Sequence, residues 1–207
     1  MKPPLKKLSE MTENDFLKYY HGIDDQDVAI KSALHSADLY KHNVEDSWEY
    51  ISFHNFPELF RLLKELRVMF SKLSPTICDV GAGTGRMVRI FRDFGFKSFG
   101  IEFHPPYVQY GRKAFDLSSE ELMLADAFKI PDDIYRSANV LYTYMPVRNA
   151  KKMAELHLHL YNVAKPGTIL VEMYPVYYPV EQFVDKNQPW PGEKYVTIIR
   201  RWHRGDN

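Results

Sequence analysis

The sequence predicts an α/β fold in which strands and helices alternate around a mostly parallel sheet, preceded by a helical segment. Three observations lead to this prediction. A short apolar run in residues 77–85 is followed by three glycines at alternate positions, Gly81, Gly83 and Gly85. Directly behind them, apolar residues recur at spacings of three and four, as in a helix buried on one face. Further short apolar runs then alternate with helical patterning toward the C-terminus.

The first part of the chain is predicted to be helical. Residues 12–15 (Thr-Glu-Asn-Asp) form a capping box with Asp in place of the usual Glu, and predict the start of a short helix. A second amphipathic helix is predicted over Asp27–Lys41, and a third with a broad apolar face over Pro57–Leu73. We therefore expect an N-terminal helical extension, residues 1–74, and an α/β domain, residues 75–207.

The glycine-rich stretch predicts a nucleotide-binding corner, because a helix N-terminus after a tight turn points its amides and its dipole at a ligand. Arg86 stands where the dinucleotide pattern G-x-G-x-x-G needs its third glycine, and the Gly-Lys-Ser/Thr of a phosphate loop is absent. Asp79 lies two residues before the first glycine. A carboxylate there suits a ligand with a cationic group and disfavours a bare pyrophosphate.

The strands predicted behind this corner carry acids at their carboxyl ends. Four are predicted: Lys97–Ile101, Leu122–Ala125, Asn139–Tyr144 and Thr168–Met173. The second strand of the sheet ends at Glu102, a carboxylate that can accept hydrogen bonds from both ribose hydroxyls. The third ends at Asp126, and a Lys-Pro-Gly turn at residues 165–167 leads into the fifth.

In this order and spacing, the motifs resemble those of the class I S-adenosylmethionine (SAM) methyltransferases over roughly residues 75–175. The resemblance implies a Rossmann-like seven-stranded sheet, mostly parallel, which ends in an antiparallel hairpin. We expect that hairpin between Val180–Val184 and Tyr195–Trp202. It also implies SAM as cofactor, with Asp126 near the adenine amino group. The implied cofactor-binding residues are Asp79, Gly81, Ala82, Gly83, Gly85, Glu102, Phe103, Asp126 and Ala127.

The activity implied by the resemblance is methyl transfer from SAM to an acceptor. A sulfonium methyl is already activated, so the protein mainly aligns the acceptor, and a base matters only if the acceptor must lose a proton. The acceptor is expected past the carboxyl end of the fourth strand, at residues 142–146. Tyr144 is the candidate catalytic residue there. It either hydrogen-bonds to or stacks on an acceptor amine, or it is an ordinary strand aromatic.

The acceptor itself is left open by the sequence. Residues 140–146 and Asn149 are similar to a small bacterial and mitochondrial subgroup of protein-lysine methyltransferases, which favours a protein lysine amine. The alternatives are a small-molecule N- or O-methyltransferase and a SAM-binding module without catalysis.

Two further motifs have alternative interpretations. Aromatic residues at 48–55 either form a lid over the site or pack between the extension and the core. His104–Tyr107 resembles the Asn/Asp-Pro-Pro-Tyr motif of nucleic-acid methyltransferases, but follows the second strand, where a helix start is favoured.

The composition of the chain indicates which binding partners and which cellular compartment to expect. Lys+Arg and Asp+Glu both total 27, and this zero net charge argues against a nucleic-acid partner held through overall charge. The single cysteine, Cys78, excludes an internal disulfide and is predicted to be a core residue. His157 and His159 lie two apart on a predicted helix, so no metal site is expected. No membrane span or signal-peptide core is recognised, and a cytoplasmic protein is expected.

Overall fold

The computed structural model describes residues 7–36, 56–144, 146–147, 149–175 and 196–202. Within those ranges the helices are Glu13–Ser36 (α1), Phe56–Met69 (α2), Arg86–Asp93 (α3), Pro105–Phe115 (α4), Asp132–Ser137 (α5) and Ala150–Val163 (α6), after a short 3-10 helix over Leu8–Glu10. The strands are Thr76–Val80 (β1), Lys97–Glu102 (β2), Leu122–Leu124 (β3), Val140–Thr143 (β4), Ile169–Pro175 (β5) and Val196–Trp202 (β6).

The described strands form one parallel sheet in the order β3-β2-β1-β4-β5-β6. The order reverses between β1 and β4, so these two neighbours leave a crevice beyond their carboxyl ends, where open α/β sheets bind ligands. The strand order is that of a Rossmann-like fold, and the predicted parallel α/β architecture is confirmed. The first five strands fall within two residues of their predicted bounds.

The predicted seven-stranded sheet with a C-terminal antiparallel hairpin is wrong for the described residues. They contain six strands, and β6 pairs with β5 in parallel, from Ile169 opposite Val196 to Pro175 opposite Trp202. The hairpin was inferred from a turn-rich stretch just before the last strand. A parallel pair needs a crossover of about a dozen residues or more, and residues 176–195 provide that length. Residues 180–184, the other predicted hairpin strand, lie outside the described residues.

The first helix of the extension is longer than predicted. The capping box at its start forms as expected: the Asp15 amide donates to Thr12 Oγ1 at 3.1 Å, and the Thr12 amide donates to the Asp15 carboxylate at 3.1 Å. The helix then runs for 24 residues, where two separate helices were predicted. Gly22 weakens an exposed turn by about 1 kcal/mol. Burial of Phe16 and Tyr20, both 0% exposed, favours the continuous helix. The remainder of the predicted second helix, residues 37–41, lies outside the described residues.

The extension and the sheet share one apolar core. Phe16 and Tyr20 of α1 and the buried leucines of α2 belong to the same cluster as Ile77 of β1 and Tyr142 of β4. The opposite face of the sheet is covered by α5 and α6, and there Cys78 is fully buried, as predicted, with the pKa of its thiol raised by that burial. No helix in the described ranges has the length and apolarity that a membrane crossing requires.

Candidate functional site

The glycine loop, residues Gly81–Gly85, follows β1 and begins α3. Gly81, Gly83 and Gly85 have φ of 77°, 56° and 81°, in the left-handed region where other residues are strained. The space around the glycines differs. A Cβ at Gly81 would overlap Pro146, whereas a Cβ at Gly83 would have no atom within 4 Å. The loop is therefore closed by the end of β4 on one side and open at Gly83, where a ligand can approach the backbone.

Glu102, at the end of β2, is held in place by backbone amides beside this open position. The Gly83 amide donates to its Oε2 at 2.8 Å, and the His104 amide donates to its Oε1 at 2.8 Å. Burial raises the pKa of the carboxyl group, and these amides oppose the rise. Each carboxylate oxygen can accept a further hydrogen bond. The group is thus fixed in orientation and still able to bind two hydroxyls.

A cavity of about 530 Å³ opens at the carboxyl ends of the strands, within the range of small-molecule sites. Five of the predicted cofactor residues line it: Gly81, Glu102, Phe103, Asp126 and Ala127. The rest of its wall is formed by Val80, Ile101, Ala125, Phe128, Pro146, Val147, Lys152, Glu155 and Leu156. Phe103 and Phe128 are 57% and 41% exposed, and provide aromatic faces at the cavity. The wall combines apolar surface with a few fixed acceptors, as a nucleoside requires.

Asp126 presents a second carboxylate to the cavity. It accepts a hydrogen bond from the Phe128 amide at 3.0 Å and forms an ion pair with Lys129 at 2.9 Å. The hydrogen bond from Lys129 is the main reason that its pKa is lowered, so the group is ionised at neutral pH. An ionised carboxylate accepts hydrogen bonds only, which suits the amino group of an adenine.

Asp79 does not line the cavity. It alternates with Val80 along β1, so its side chain lies on the sheet face that α1 and α3 cover. Asp79 is 3% exposed, and no hydrogen bond to its carboxyl group is found among the described residues. Its pKa is raised to about 8, mainly by burial and also by the charge of Glu102, and Arg86 opposes part of that rise. The predicted acid is therefore near the glycine loop, but it lies on the sheet face opposite the one that lines the cavity.

The other loop residues act through their backbones. The amides of Gly81 and Ala82 both donate to the Ile101 carbonyl, at 2.9 and 3.0 Å, and so tie the loop to the end of β2. The Gly85 amide donates to the Ala82 carbonyl at 2.9 Å. Neither Ala82, Gly83 nor Gly85 lines the cavity. These residues set the backbone conformation of the glycine loop, while other segments provide most of the cavity wall.

The two tyrosines at the end of β4 differ in their surroundings. Tyr142 is fully buried and packs edge-on against Phe91 with ring centres 5.2 Å apart, so it is a core residue. Tyr144 is half-buried against the same cluster, just past the last residue of the strand. It does not line the cavity, and it lies on the face of β4 that also carries Tyr142. Tyr144 therefore remains the candidate for the acceptor side.

His104–Tyr107 is a helix start, as predicted. His104 is the N-cap of α4, and the two prolines occupy its first turn. The His104 ring packs against Tyr107 with centres 4.8 Å apart. The segment follows β2 and lies beside the Glu102 carboxylate. The catalytic motif that it resembles would instead follow β4.

Two contributions to the site were not predicted. Lys152, Glu155 and Leu156 of α6 line the cavity, and their spacing of three and four on a predicted helix was the available signal. The second is α1, whose Asp24 and Asp27 contact the glycine loop and the start of α3. Nothing in the local sequence connects residues so distant along the chain, because only tertiary packing brings them together.

No family model matches the chain, and no curated protein matches its sequence. Solved structures of similar shape include an RNA methyltransferase from Salinibacter ruber in complex with S-adenosylhomocysteine, 24% identical over 55% of this chain and 75% of that one, with a TM-score of 0.42. A magnesium protoporphyrin IX methyltransferase from Synechocystis PCC 6803 is 13% identical over 53% of this chain and 52% of that one, with a TM-score of 0.42.

A SAM-dependent methyltransferase from Thiobacillus denitrificans, in complex with S-adenosylhomocysteine, is 18% identical over 53% of this chain and 46% of that one, with a TM-score of 0.39. The chain thus spans three quarters of the first of these structures and about half of the other two. All three of these solved structures are methyltransferases.

Proposed function

We propose that this protein is a SAM-dependent methyltransferase. The observation that carries the proposal is the convergence of Gly83, Glu102 and Asp126 at the carboxyl ends of three neighbouring strands. Glu102 is positioned by two backbone amides, and Asp126 by its own turn and Lys129. The two carboxylates are suitable acceptors for the ribose hydroxyls and the amino group of an adenosine. The cavity that they line is large enough for this ligand.

Each part of the cofactor has a candidate contact. Glu102 accepts from the ribose hydroxyls, Asp126 accepts from the adenine amino group, and Phe103 provides an aromatic face for the base. Gly83 leaves room for the backbone to approach the rest of the ligand. Asp79 is the carboxylate for the cationic end of SAM. When bound, SAM supplies a methyl group on a positively charged sulfur.

The proposed acceptor is a protein lysine amine. The likeness of residues 140–146 to protein-lysine methyltransferases motivates this finer proposal, together with the half-buried Tyr144 beyond β4. The tyrosine ring would orient the amine by a hydrogen bond or by stacking, and an aromatic face also favours a methylammonium product. This role requires the acceptor to approach from the Tyr144 side, away from the adenosine cavity.

Calorimetric titration with S-adenosylhomocysteine tests the cofactor site. We expect Glu102→Gln to raise Kd by about tenfold or more, because the amide retains one acceptor and places a donor against a ligand hydroxyl or a backbone amide. Glu120→Gln is the matched control, since Glu120 is an exposed acid in a turn. Equal affinities for the two variants, or no binding by the unsubstituted protein, would contradict the proposed site.

Incubation with methyl-labelled SAM and a cell lysate tests the acceptor. Label recovered in lysine after hydrolysis of the protein fraction would support the finer proposal. Label only in small molecules would favour a small-molecule methyltransferase, and label only in RNA would overturn the protein acceptor. Cofactor binding without transfer to any fraction would favour a binding module. Loss of transfer in Tyr144→Ala, with retained cofactor affinity, is expected if Tyr144 faces the acceptor.

A further inference from the structure

A row of charged side chains on α1 faces the glycine loop. Asp24, Asp27 and Lys31 recur at spacings of three and four, so they share one face of the helix. Asp27 is only 1% exposed, although it lies in a helix whose neighbouring Asp25 is exposed. Buried acids are rare unless a partner compensates their charge. The acids on this face of α1 therefore require partners within the fold, whereas the solvent-facing acids of the helix do not.

The partners of these acids are the glycine loop and the first residue of α3. The Thr84 hydroxyl donates to Asp27 Oδ1, and the Arg86 guanidinium donates to Asp24. Arg86 also lies 3.5 Å from Asp27 Oδ2, and Lys31 Nζ lies 2.8 Å from the same carboxylate. Thr84 and Arg86 are 2% and 5% exposed. Two carboxylates of α1 thus hold one buried guanidinium at the edge of the candidate cofactor site.

Arg86 has a third acid within electrostatic range. It lowers the pKa of Asp79, but its ion pairs among the described residues are with Asp24 and Asp27. Asp79 has no hydrogen-bond partner among those residues, unlike Glu102 with its two amides. A buried acid without a donor is held in its neutral form until a cation pairs with it. The guanidinium that could pair with Asp79 is held by Asp24 and Asp27 of α1.

We propose that Asp24 and Asp27 are positioning residues for the cofactor: by holding Arg86, they keep it from pairing with Asp79 and leave Asp79 open to the amino group of SAM. The inference rests on the proposed function. It assigns α1 a part in cofactor affinity without contact between α1 and the cofactor. Without the α1 acids, the buried guanidinium would have an uncompensated charge and would turn to Asp79, a carboxyl group on the same sheet face whose pKa it already lowers.

Two ligands separate this role from general support of the loop. S-adenosylhomocysteine has the amino group that Asp79 would bind, and 5′-methylthioadenosine has the same nucleoside without it. In Asp24→Asn and in Asp27→Asn we expect the Kd of S-adenosylhomocysteine to rise by about tenfold. The Kd of 5′-methylthioadenosine should change by less than about twofold. Asp25→Asn, an exposed acid on the same helix, is the control and should leave both affinities unchanged.

A combined variant tests the route through Arg86. Asp24→Asn, Asp27→Asn and Arg86→Met together remove both the acids and the cation that they hold, and exchanging a buried ion cluster for neutral groups is often tolerated. We expect this variant to recover most of the lost affinity for S-adenosylhomocysteine, because no guanidinium remains to occupy Asp79. If Asp27→Asn alone fails to fold, Asp24→Asn at the less deeply buried acid and the combined variant still decide the question.

Each contrary result has a distinct meaning. Equal loss of both ligands would overturn the proposal, since the α1 acids would then support the whole loop. Unchanged affinity in the folded single variants, or no recovery in the combined variant, would also overturn it. In all these cases the unsubstituted protein still binds S-adenosylhomocysteine, and the proposed function stands. If the unsubstituted protein binds neither ligand, both the proposed function and this inference fail.

Discussion

Two buried carboxyl groups at the ends of β1 and β2 are held in different ways. Glu102 accepts two backbone amides, which stabilise its charge against the cost of burial. Asp79 has no such donor among the described residues, and burial raises its pKa to about 8. In the unliganded protein at neutral pH, Asp79 is therefore mostly protonated. A cationic ligand group that pairs with it must favour the ionised form, so ligand affinity and the ionisation of Asp79 are linked.

The affinity for S-adenosylhomocysteine is expected to depend on pH. Below its pKa of about 8, Asp79 must lose a proton before it pairs with the ligand amino group, so affinity should rise as pH increases. We expect a gain of up to about fiftyfold between about pH 6 and about pH 8, measured by calorimetry, because the ionised fraction of Asp79 rises by that factor. Glu102 raises and Arg86 lowers the pKa of Asp79, while the pKa values of Arg86 and Tyr142 themselves are raised, so neither of these two groups titrates in this range. Asp79→Asn should flatten the profile, and an equally steep rise in that variant would contradict the assignment to Asp79.

At the scale of secondary-structure elements, close approach of α4 to the glycine loop supports the geometry of the site. A Cβ at Gly111 of α4 would overlap the carbonyl group of Thr84. A Cβ at Gly85 would meet Leu117 Cδ1 at 2.6 Å. The loop is thus enclosed by α4 and its following turn on one side and by α1 on the other. Its backbone conformation depends on these elements as much as on its own glycines.

Gly111→Ala is expected to lower both stability and cofactor affinity. The added methyl group pushes α4 from Thr84, at a cost of about 1–3 kcal/mol in the free energy of unfolding. Gly22→Ala is the control, since a Cβ at Gly22 meets nothing within 4 Å. That substitution should stabilise α1 by about 0.5–1 kcal/mol, because alanine favours a helix. Urea unfolding and titration with S-adenosylhomocysteine measure both effects. A Gly111 variant as stable as the control would contradict the packing described.

At the scale of the molecule, the extension is part of the core that supports the sheet. Phe16 stacks on Phe60 with ring centres 5.0 Å apart and contacts Phe94, which follows α3, at 5.6 Å. The same cluster reaches Tyr142 and Val171 in the middle of the sheet. The boundary predicted between residues 74 and 75 therefore separates two parts of the sequence whose apolar side chains pack together.

Phe16→Ala tests whether the two parts unfold together. Loss of a fully buried phenylalanine costs about 3–5 kcal/mol. If the core is shared, thermal unfolding followed by near-UV and far-UV circular dichroism should remain a single transition with a lower midpoint. Ser32→Ala, at an exposed position of the same helix, serves as control. Two separate transitions, with only the first shifted, would instead indicate an independently folding extension.

Much of the fold was accessible from the sequence because its signals are local. The glycine spacing at 81–85 predicts a turn with left-handed residues, and the alternation of apolar runs predicts the strands, since these depend on short-range sterics and periodicity. The acid at the end of β2 was found in the same way. The last strand was also predicted, at Tyr195–Trp202, but its pairing was wrong. A turn-rich segment before residues 196–202 is compatible with either a hairpin or a crossover, and only pairing with β5 distinguishes them.

The sequence by itself determined the parallel α/β architecture, the glycine corner and the acids that end β2 and β3, because each follows from backbone preferences and burial within a short stretch of chain. Only the tertiary structure decided which side of the sheet each group faces. It sets Asp79 beneath α1 and Asp126 at the cavity, and it brings Asp24 and Asp27 to Arg86 across a long stretch of chain. These choices depend on the burial of charge between distant segments, which no local pattern records.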